Sequence, residues 1–152
     1  MLYLQQSICK GSYNRAAYCI KCKIVQIIIT REGEKMLFIY YPKCSTCIKA
    51  KKWLDEKGVK YTARYIAEEN PSYDELKEWF AKSGLPLKKF FNTSGMLYKE
   101  MQLKDKLPSM SEEEQLILLA TNGMLVKRPI VVNGKTVLVG FKEAEWSENL
   151  TK

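Results

Sequence analysis

The sequence predicts an α/β domain with a mixed central sheet and helices on both of its faces. Three observations carry that expectation. An apolar run, LFIYY (37–41), gives way to a helix-periodic segment and then to a second strand-like run. Two serine–glutamate capping boxes open helices further on. Near the end, two β-branched runs flank Asn133-Gly134, a strong short-range hairpin signal. The predicted order is β-α-β-α-α-α-β-β-α, with a helical insertion between the second and third strands.

Each element has its own reason. LFIYY is continuously apolar and aromatic, as expected of a strand covered on both faces, and Pro42 ends it. From Cys44 or Ser45 the spacing turns helical. Cys47, Ala50 and Leu54 share one face with Trp53 beside them, Lys49, Lys51 and Lys52 lie outside, and Gly58 supplies the stop. KYTARYI (60–66) reads as a second strand. The short, one-helix connection makes it parallel to the first, in a right-handed βαβ unit.

NPSYDELKEWFAKSG (70–84) is punctuated as a helix: Ser72 caps, Glu75 completes the box, Gly84 closes, and Tyr73, Leu76, Trp79 and Phe80 form the apolar stripe. LPLKKFFN (85–92) reads as a short helix, and 93–110 as less regular, with a turn or two near YKEMQL. SEEEQLILLATNG (111–123) opens on the Ser111/Glu114 box and is expected to end at Gly123. RPIVV and TVLVG form the hairpin, and FKEAEWSENL (141–150) is a closing helix. Trp53, Trp79, Phe80, Phe90 and Phe91 read as core, Glu112–Glu114 as carboxylates favouring a helix dipole, and Lys88-Lys89 as a solvated face.

Composition narrows the function classes. The 152 residues carry a net charge of +8 and no histidine. Without histidine, Ser–His and Cys–His catalysis and most mixed zinc sites are excluded. Residues 1–35 hold six basic and two acidic residues, and the remainder intermixes nineteen with fifteen. That is a solvated surface rather than a nucleic-acid stripe. No apolar run nears the roughly 18 residues of a membrane span. The N-terminus lacks a secretory signal, so a cytoplasmic location and reduced thiols are expected.

The first thirty-five residues look different from the rest. They have no helical period and no strand alternation before Lys23–Thr30, and they meet a second methionine, Met36, just before the first strand. REGEK, just upstream, is what a purine-rich ribosome-binding sequence gives when read as codons. The expectation is that translation starts at Met36, that 1–35 are upstream sequence or a poorly structured arm, and that 36–152 form the one domain. Cys19/Cys22 and Cys44/Cys47 lie 21 residues apart, just outside four-cysteine zinc spacing. The first pair falls in the atypical leader and the second where a strand turns into a helix. No metal is therefore assigned.

Cys44-Ser45-Thr46-Cys47 carries the chemistry. A helix N-terminus has unpaired N–H groups and partial positive charge, and both favour a thiolate. Cys44, at or just before the first turn, is the expected nucleophile. Cys47, more buried on the adjoining face, is the expected resolving thiol. After a buried strand, inside a βαβ unit, Cys-x-x-Cys reads as a thioredoxin-like redox motif. Arg128-Pro129 is the second informative pair: a cis-proline opening the third strand opposite the cysteines fits that architecture, and Arg128 is placed to hold an anion beside the thiolate. Lys43, Ser45, Thr46, Asn92 and Pro129 complete the candidate substrate site.

YYPKCSTCIKAKKWL, SGLPLKKFFNTSG, LKDKLPSMSEEEQLILLATNGMLVKRPIVV and VLVGFKEAEW resemble the arsenate-reductase (ArsC) family. Within it they resemble most a short Cys-x-x-Cys branch related to the Spx and MgsR regulators. The likeness spans 36–152 and implies a thioredoxin-like fold. Arsenate reductases of this type use one cysteine and three arginines. Cys44 matches the nucleophile and Arg128 one arginine, but Asn92 stands where a second is expected and the third is replaced near Gly140-Phe141. The resemblance therefore implies a thiol–disulfide oxidoreductase inefficient toward arsenate, with Cys44–Cys47 forming an internal disulfide. Thioredoxin, glutaredoxin or glutathione is the implied electron donor. The alternative it implies is a redox regulator binding the RNA polymerase alpha C-terminal domain, although the sequence ends soon after Trp146, without the longer basic extension of those regulators; a second alternative is a genuine arsenate reductase. No bound cofactor, no direct nucleic-acid contact, no membrane contact and a monomer are expected.

Overall fold

The computed structural model describes residues 35–151. The expectations about the leader, the Lys23–Thr30 run and the Cys19/Cys22 pair lie outside them. The fold is built on a four-stranded sheet in the order β2-β1-β3-β4. Strand β1 (Leu37–Tyr40) runs parallel to β2 (Thr62–Tyr65), joined through helix α1 (Ser45–Glu56). It pairs antiparallel with β3 (Ile130–Asn133), which forms a hairpin with β4 (Thr136–Val139). Helix α2 (Tyr73–Ser83), the short α3 (Met96–Glu100) and α4 (Leu103–Lys106), and α5 (Glu112–Thr121) fill the chain between β2 and β3, and α6 (Glu143–Leu150) closes it. This mixed sheet with its helical insertion is a thioredoxin-like fold. Among the described residues no helix is long and apolar enough to cross a membrane.

The period-two alternation of β1 divides the core. Ile39 points to one face, where it joins Ile130, Leu76 and Trp79 of α2, Leu116 and Leu119 of α5, and Phe90 and Phe91. Phe38 points to the other, where it meets Val131 and Leu138 in register, Ala50, Trp53 and Leu54 of α1, and Trp146 of α6. Trp146 packs edge-on against Phe38, Trp53 and Phe141, and its indole N–H reaches the Gly140 carbonyl at 3.1 Å.

Both capping boxes form. Ser72 and Ser111 each accept the amide of the residue three on, and that residue's glutamate accepts the serine's own amide. Each cap contributes about 1 kcal/mol. Arg64 of β2 adds a clamp that sequence reading missed. Its guanidinium donates to Glu75 at 2.6 and 3.1 Å and to the carbonyls of Glu69 and Asn70, holding the loop between β2 and α2.

Four details differ from expectation. Residues 87–90 form a 3-10 turn rather than an α-helix. Much of 93–110 is helical, as α3, α4 and a 3-10 turn at 107–109, interrupted by Gln102 in the left-handed region at φ 53°. The hairpin loop is Gly134-Lys135, because Asn133 still pairs with Thr136. Only Gly134 has positive φ, at 57°, which puts the glycine first in the loop, where a two-residue loop of the II′ kind needs it. Gly123 does not cap α5. It opens a 3-10 turn at 123–125, where a Cβ would collide with the Ile66 carbonyl.

Candidate functional site

The site forms where β1 delivers the chain to α1. Pro42 ends the strand, and the Cys44 amide turns back to the Tyr41 carbonyl at 3.0 Å. Cys44 is the N-cap residue of α1, in extended conformation at φ −91° and ψ 117°. Among the described residues no side-chain hydrogen bond caps this helix, which leaves its first amides to face the sulfur. Cys44 is half-buried, while Cys47, one turn along the apolar face of α1, is 1% exposed. Both thiols are free.

The two acidities diverge. Burial pushes the Cys44 thiol up, but the Cys47 amide, the Cys47 thiol, the Thr46 amide and the Arg128 charge together bring it below its ordinary value of 9.0. Cys47 goes the other way. Burial above all pushes it up to about 12; the Tyr41 amide opposes this, the Cys44 side chain and its negative charge add to the rise, and Arg128 opposes it least. The arrangement makes the outer sulfur the more readily ionised of the two and keeps the proton on the inner one.

Arg128 comes from the entry to β3, the antiparallel neighbour of β1 in the sheet. The Arg128–Pro129 peptide bond is cis, as the sequence predicts. The guanidinium carbon lies 4.9 Å from the centre of the Tyr41 ring, and Nη1 donates to the Met124 carbonyl at 3.4 Å. Nε is buried and without a hydrogen-bond partner among the described residues.

Cys44 opens into a cleft of about 680 Å³. Of the candidate residues, Lys43, Ser45, Thr46, Asn92 and Arg128 line it with Cys44. Pro129 does not. It is buried, and its carbonyl accepts the Gly140 amide at 2.7 Å. Cys47 does not line it either; it lies under Cys44 and borders a separate groove with Tyr40, Pro42 and Ile48. The Asn92 side chain is tied to the Met124 carbonyl at 3.3 Å and accepts from Ser94. Phe141 packs on Trp53 and Trp146, away from the cleft.

Sequence reading missed Tyr41, Met96, Glu100 and Lys127, which also line the cleft. Lys127 adjoins Arg128 and could have been read from the motif. Tyr41 reads as an ordinary strand aromatic, and Met96 and Glu100 carry no local signal. Among the described residues no cluster of three or more potential ligands could hold a metal ion.

Comparison with known proteins bears on the family and the fold. The model of the ArsC family matches residues 39–149. The chain is 59% identical to the uncharacterized protein YusI of Bacillus subtilis, over 75% of this chain and 97% of that one. It is 29% identical to the global transcriptional regulator Spx of Staphylococcus aureus, over 68% of this chain and 78% of that one. The crystal structure of an ArsC family related protein from Bacteroides fragilis superposes with a TM-score of 0.75 at 61% identity, covering 76% of this chain and 98% of that one.

Proposed function

This chain belongs to the ArsC family, and on that premise we propose that it is a small thiol–disulfide oxidoreductase acting through Cys44 and Cys47. The observation that supports the reading is the opposed acidity of the two sulfurs, one lowered and half-exposed, the other pushed up to about 12 and buried. A nucleophile and a protected resolving thiol need that division.

The Cys44 thiolate attacks one sulfur of a substrate disulfide, forming a Cys44–substrate mixed disulfide and expelling the other sulfur as thiolate. The negative charge on Cys44 is then gone, and two of the influences holding the proton on Cys47 go with it. Cys47 passes its proton to the departing thiolate and attacks the Cys44 sulfur. The Cys44–Cys47 disulfide forms and the second substrate thiolate leaves, taking a proton from water. The substrate gains two electrons and two protons. A dithiol donor of the thioredoxin or glutaredoxin kind, or two molecules of glutathione, returns them to the protein in a reducing cytoplasm.

Arsenate is a poor substrate in this reading. Among the described residues Arg128 is the one guanidinium lining the cleft, Asn92 spends its amide on Met124, and Phe141 faces the apolar core. One guanidinium supplies a fraction of the charge-assisted hydrogen bonds that an oxyanion needs. Reduction of a neutral small disulfide, coupled to thioredoxin, tests the reading. Wild type turns over, Cys44→Ser is inactive, and Cys47→Ser stops after one equivalent as a mixed disulfide. Equal rates for wild type and Cys44→Ser would overturn it.

The 29% identity to Spx favours a second reading, a redox-sensing regulator that binds the RNA polymerase alpha C-terminal domain, with the Cys44–Cys47 bridge as its switch. Capture of that domain by the reduced or oxidised protein, with no disulfide turnover, would replace the first reading by the second.

A further inference from the structure

We infer that Tyr41 is a positioning residue for the thiol chemistry: its ring is the platform that holds the Arg128 guanidinium over the cleft beside Cys44. The inference rests on the oxidoreductase reading of the site. Arg128 has few other restraints. Among the described residues its hydrogen bonding is a single 3.4 Å contact from Nη1 to the Met124 carbonyl, its Nε has no partner, and no carboxylate pairs with it. A guanidinium held by one long hydrogen bond is free to swing into solvent, where its charge is screened. The ring 4.9 Å from its carbon supplies the missing surface, since the planar cation stacks on an aromatic face and loses little hydration in doing so.

The platform is itself fixed. Tyr41 directly follows β1, its carbonyl accepts the Cys44 amide at 3.0 Å, and its ring stacks on Tyr65 of β2 with centroids 5.9 Å apart and planes 29° apart. One residue thus ties the head of α1, the ends of the two parallel strands and the arginine just ahead of β3 to one place. The backbone of Tyr41 orients the nucleophile, and its side chain orients the charge.

The titratable and charged groups that line the cleft with Cys44 are Tyr41, Lys43, Glu100, Lys127 and Arg128, with Cys47 beneath. Lys43, Lys127, Glu100 and Cys47 are unchanged by a substitution at Tyr41, so a loss of guanidinium order leaves its mark on Cys44 through Arg128. Tyr41→Leu keeps an apolar side chain and removes the ring. Tyr41→Phe keeps the ring.

The test is the rate of Cys44 alkylation by iodoacetamide against pH, read by fragment mass spectra that separate Cys44 from Cys47. Far-UV circular dichroism checks that each variant is folded. Tyr41→Leu is expected to move the midpoint upward and to slow alkylation at neutral pH several-fold, and Tyr41→Phe to restore the wild-type profile. Against an Arg128→Met background, Tyr41→Leu is expected to add no further shift. An unchanged midpoint in folded Tyr41→Leu, or an equal shift with and without Arg128, would overturn the inference. A wild-type midpoint no lower than that of free cysteine would instead overturn the oxidoreductase reading beneath it. Should Tyr41→Leu not fold, Tyr65→Leu, which removes the support of the ring while leaving the ring present, is expected to give a smaller upward shift, and no shift there would overturn the inference.

Discussion

Cys47 is buried one helical turn from the half-buried Cys44, and the S–H of Cys47 and the charge on Cys44 move the two thiols' acidities in opposite directions. The donor stabilises charge on the outer sulfur, and the charge in turn holds the proton on the inner one. Neither cysteine's reactivity belongs to it alone.

Substitutions at Cys47 should therefore change Cys44 before any disulfide chemistry occurs. Cys47→Ala removes the donor and raises the midpoint of Cys44 alkylation. Cys47→Ser keeps a hydroxyl donor and leaves the midpoint nearer to wild type. Both accumulate a mixed disulfide at Cys44, visible by intact mass, because neither supplies a resolving sulfur.

Arg128 should discriminate by substrate charge. With the anionic 5,5′-dithiobis(2-nitrobenzoate), Arg128→Met should lower the rate about tenfold, the lower end of a hydrogen bond to a charged group. With neutral 2,2′-dithiodipyridine the loss should be smaller and should follow the Cys44 midpoint. Added salt should narrow the difference, since the cleft is open to solvent. Stopped-flow absorbance measures both reactions.

The Arg64–Glu75 clamp should give the fold an acid-sensitive component. Burial pushes the Glu75 carboxyl up, but the Arg64 guanidinium and the Ser72 amide hold it below its ordinary 4.5. A carboxyl depressed on folding contributes its stability in full above the ordinary value and loses it as pH falls through the folded one. As pH falls below that ordinary 4.5, the wild-type melting temperature should drop more steeply than that of Glu75→Gln. Parallel melting curves would contradict this.

Two glycines should respond to alanine for different reasons. Gly84 is left-handed at φ 63° with open space around it, so Gly84→Ala carries only the backbone cost of about 1–2 kcal/mol. Gly123→Ala drives a methyl against the Ile66 carbonyl and should cost about 1–3 kcal/mol. It should also disturb the Met124 carbonyl that Arg128 and Asn92 use, so Gly123→Ala alone should slow reaction at Cys44. Urea unfolding and alkylation rates separate the two.

The parts of the fold that were legible in the sequence are those where local chemistry and tertiary packing agree. β1 is apolar because both its faces are covered, Pro42 stops it, and Ser72 and Ser111 cap as their spacing demands. The insertion was harder to read. Helices α3 and α4 have five and four residues with no side-chain cap, and Gln102 breaks them with a conformation that glutamine rarely adopts. Their burial of Tyr98 and Leu103 is a tertiary fact that no short period announces. Gly123 looks like a helix stop, but its role is set by a carbonyl from the distant Ile66. At the candidate site, Cys44, Cys47 and Arg128 could be named because their residue types and local settings mark them in the sequence alone. Tyr41 could not, because only the folded chain brings Arg128 over its ring.

The most direct test of the central claim is to react the reduced protein with one equivalent of a neutral disulfide and map its disulfides by mass spectrometry. The account predicts a Cys44–Cys47 bridge with both halves of the reagent released as thiols. A stable mixed disulfide at Cys44 with Cys47 still free, or two unreacted thiols, would contradict it.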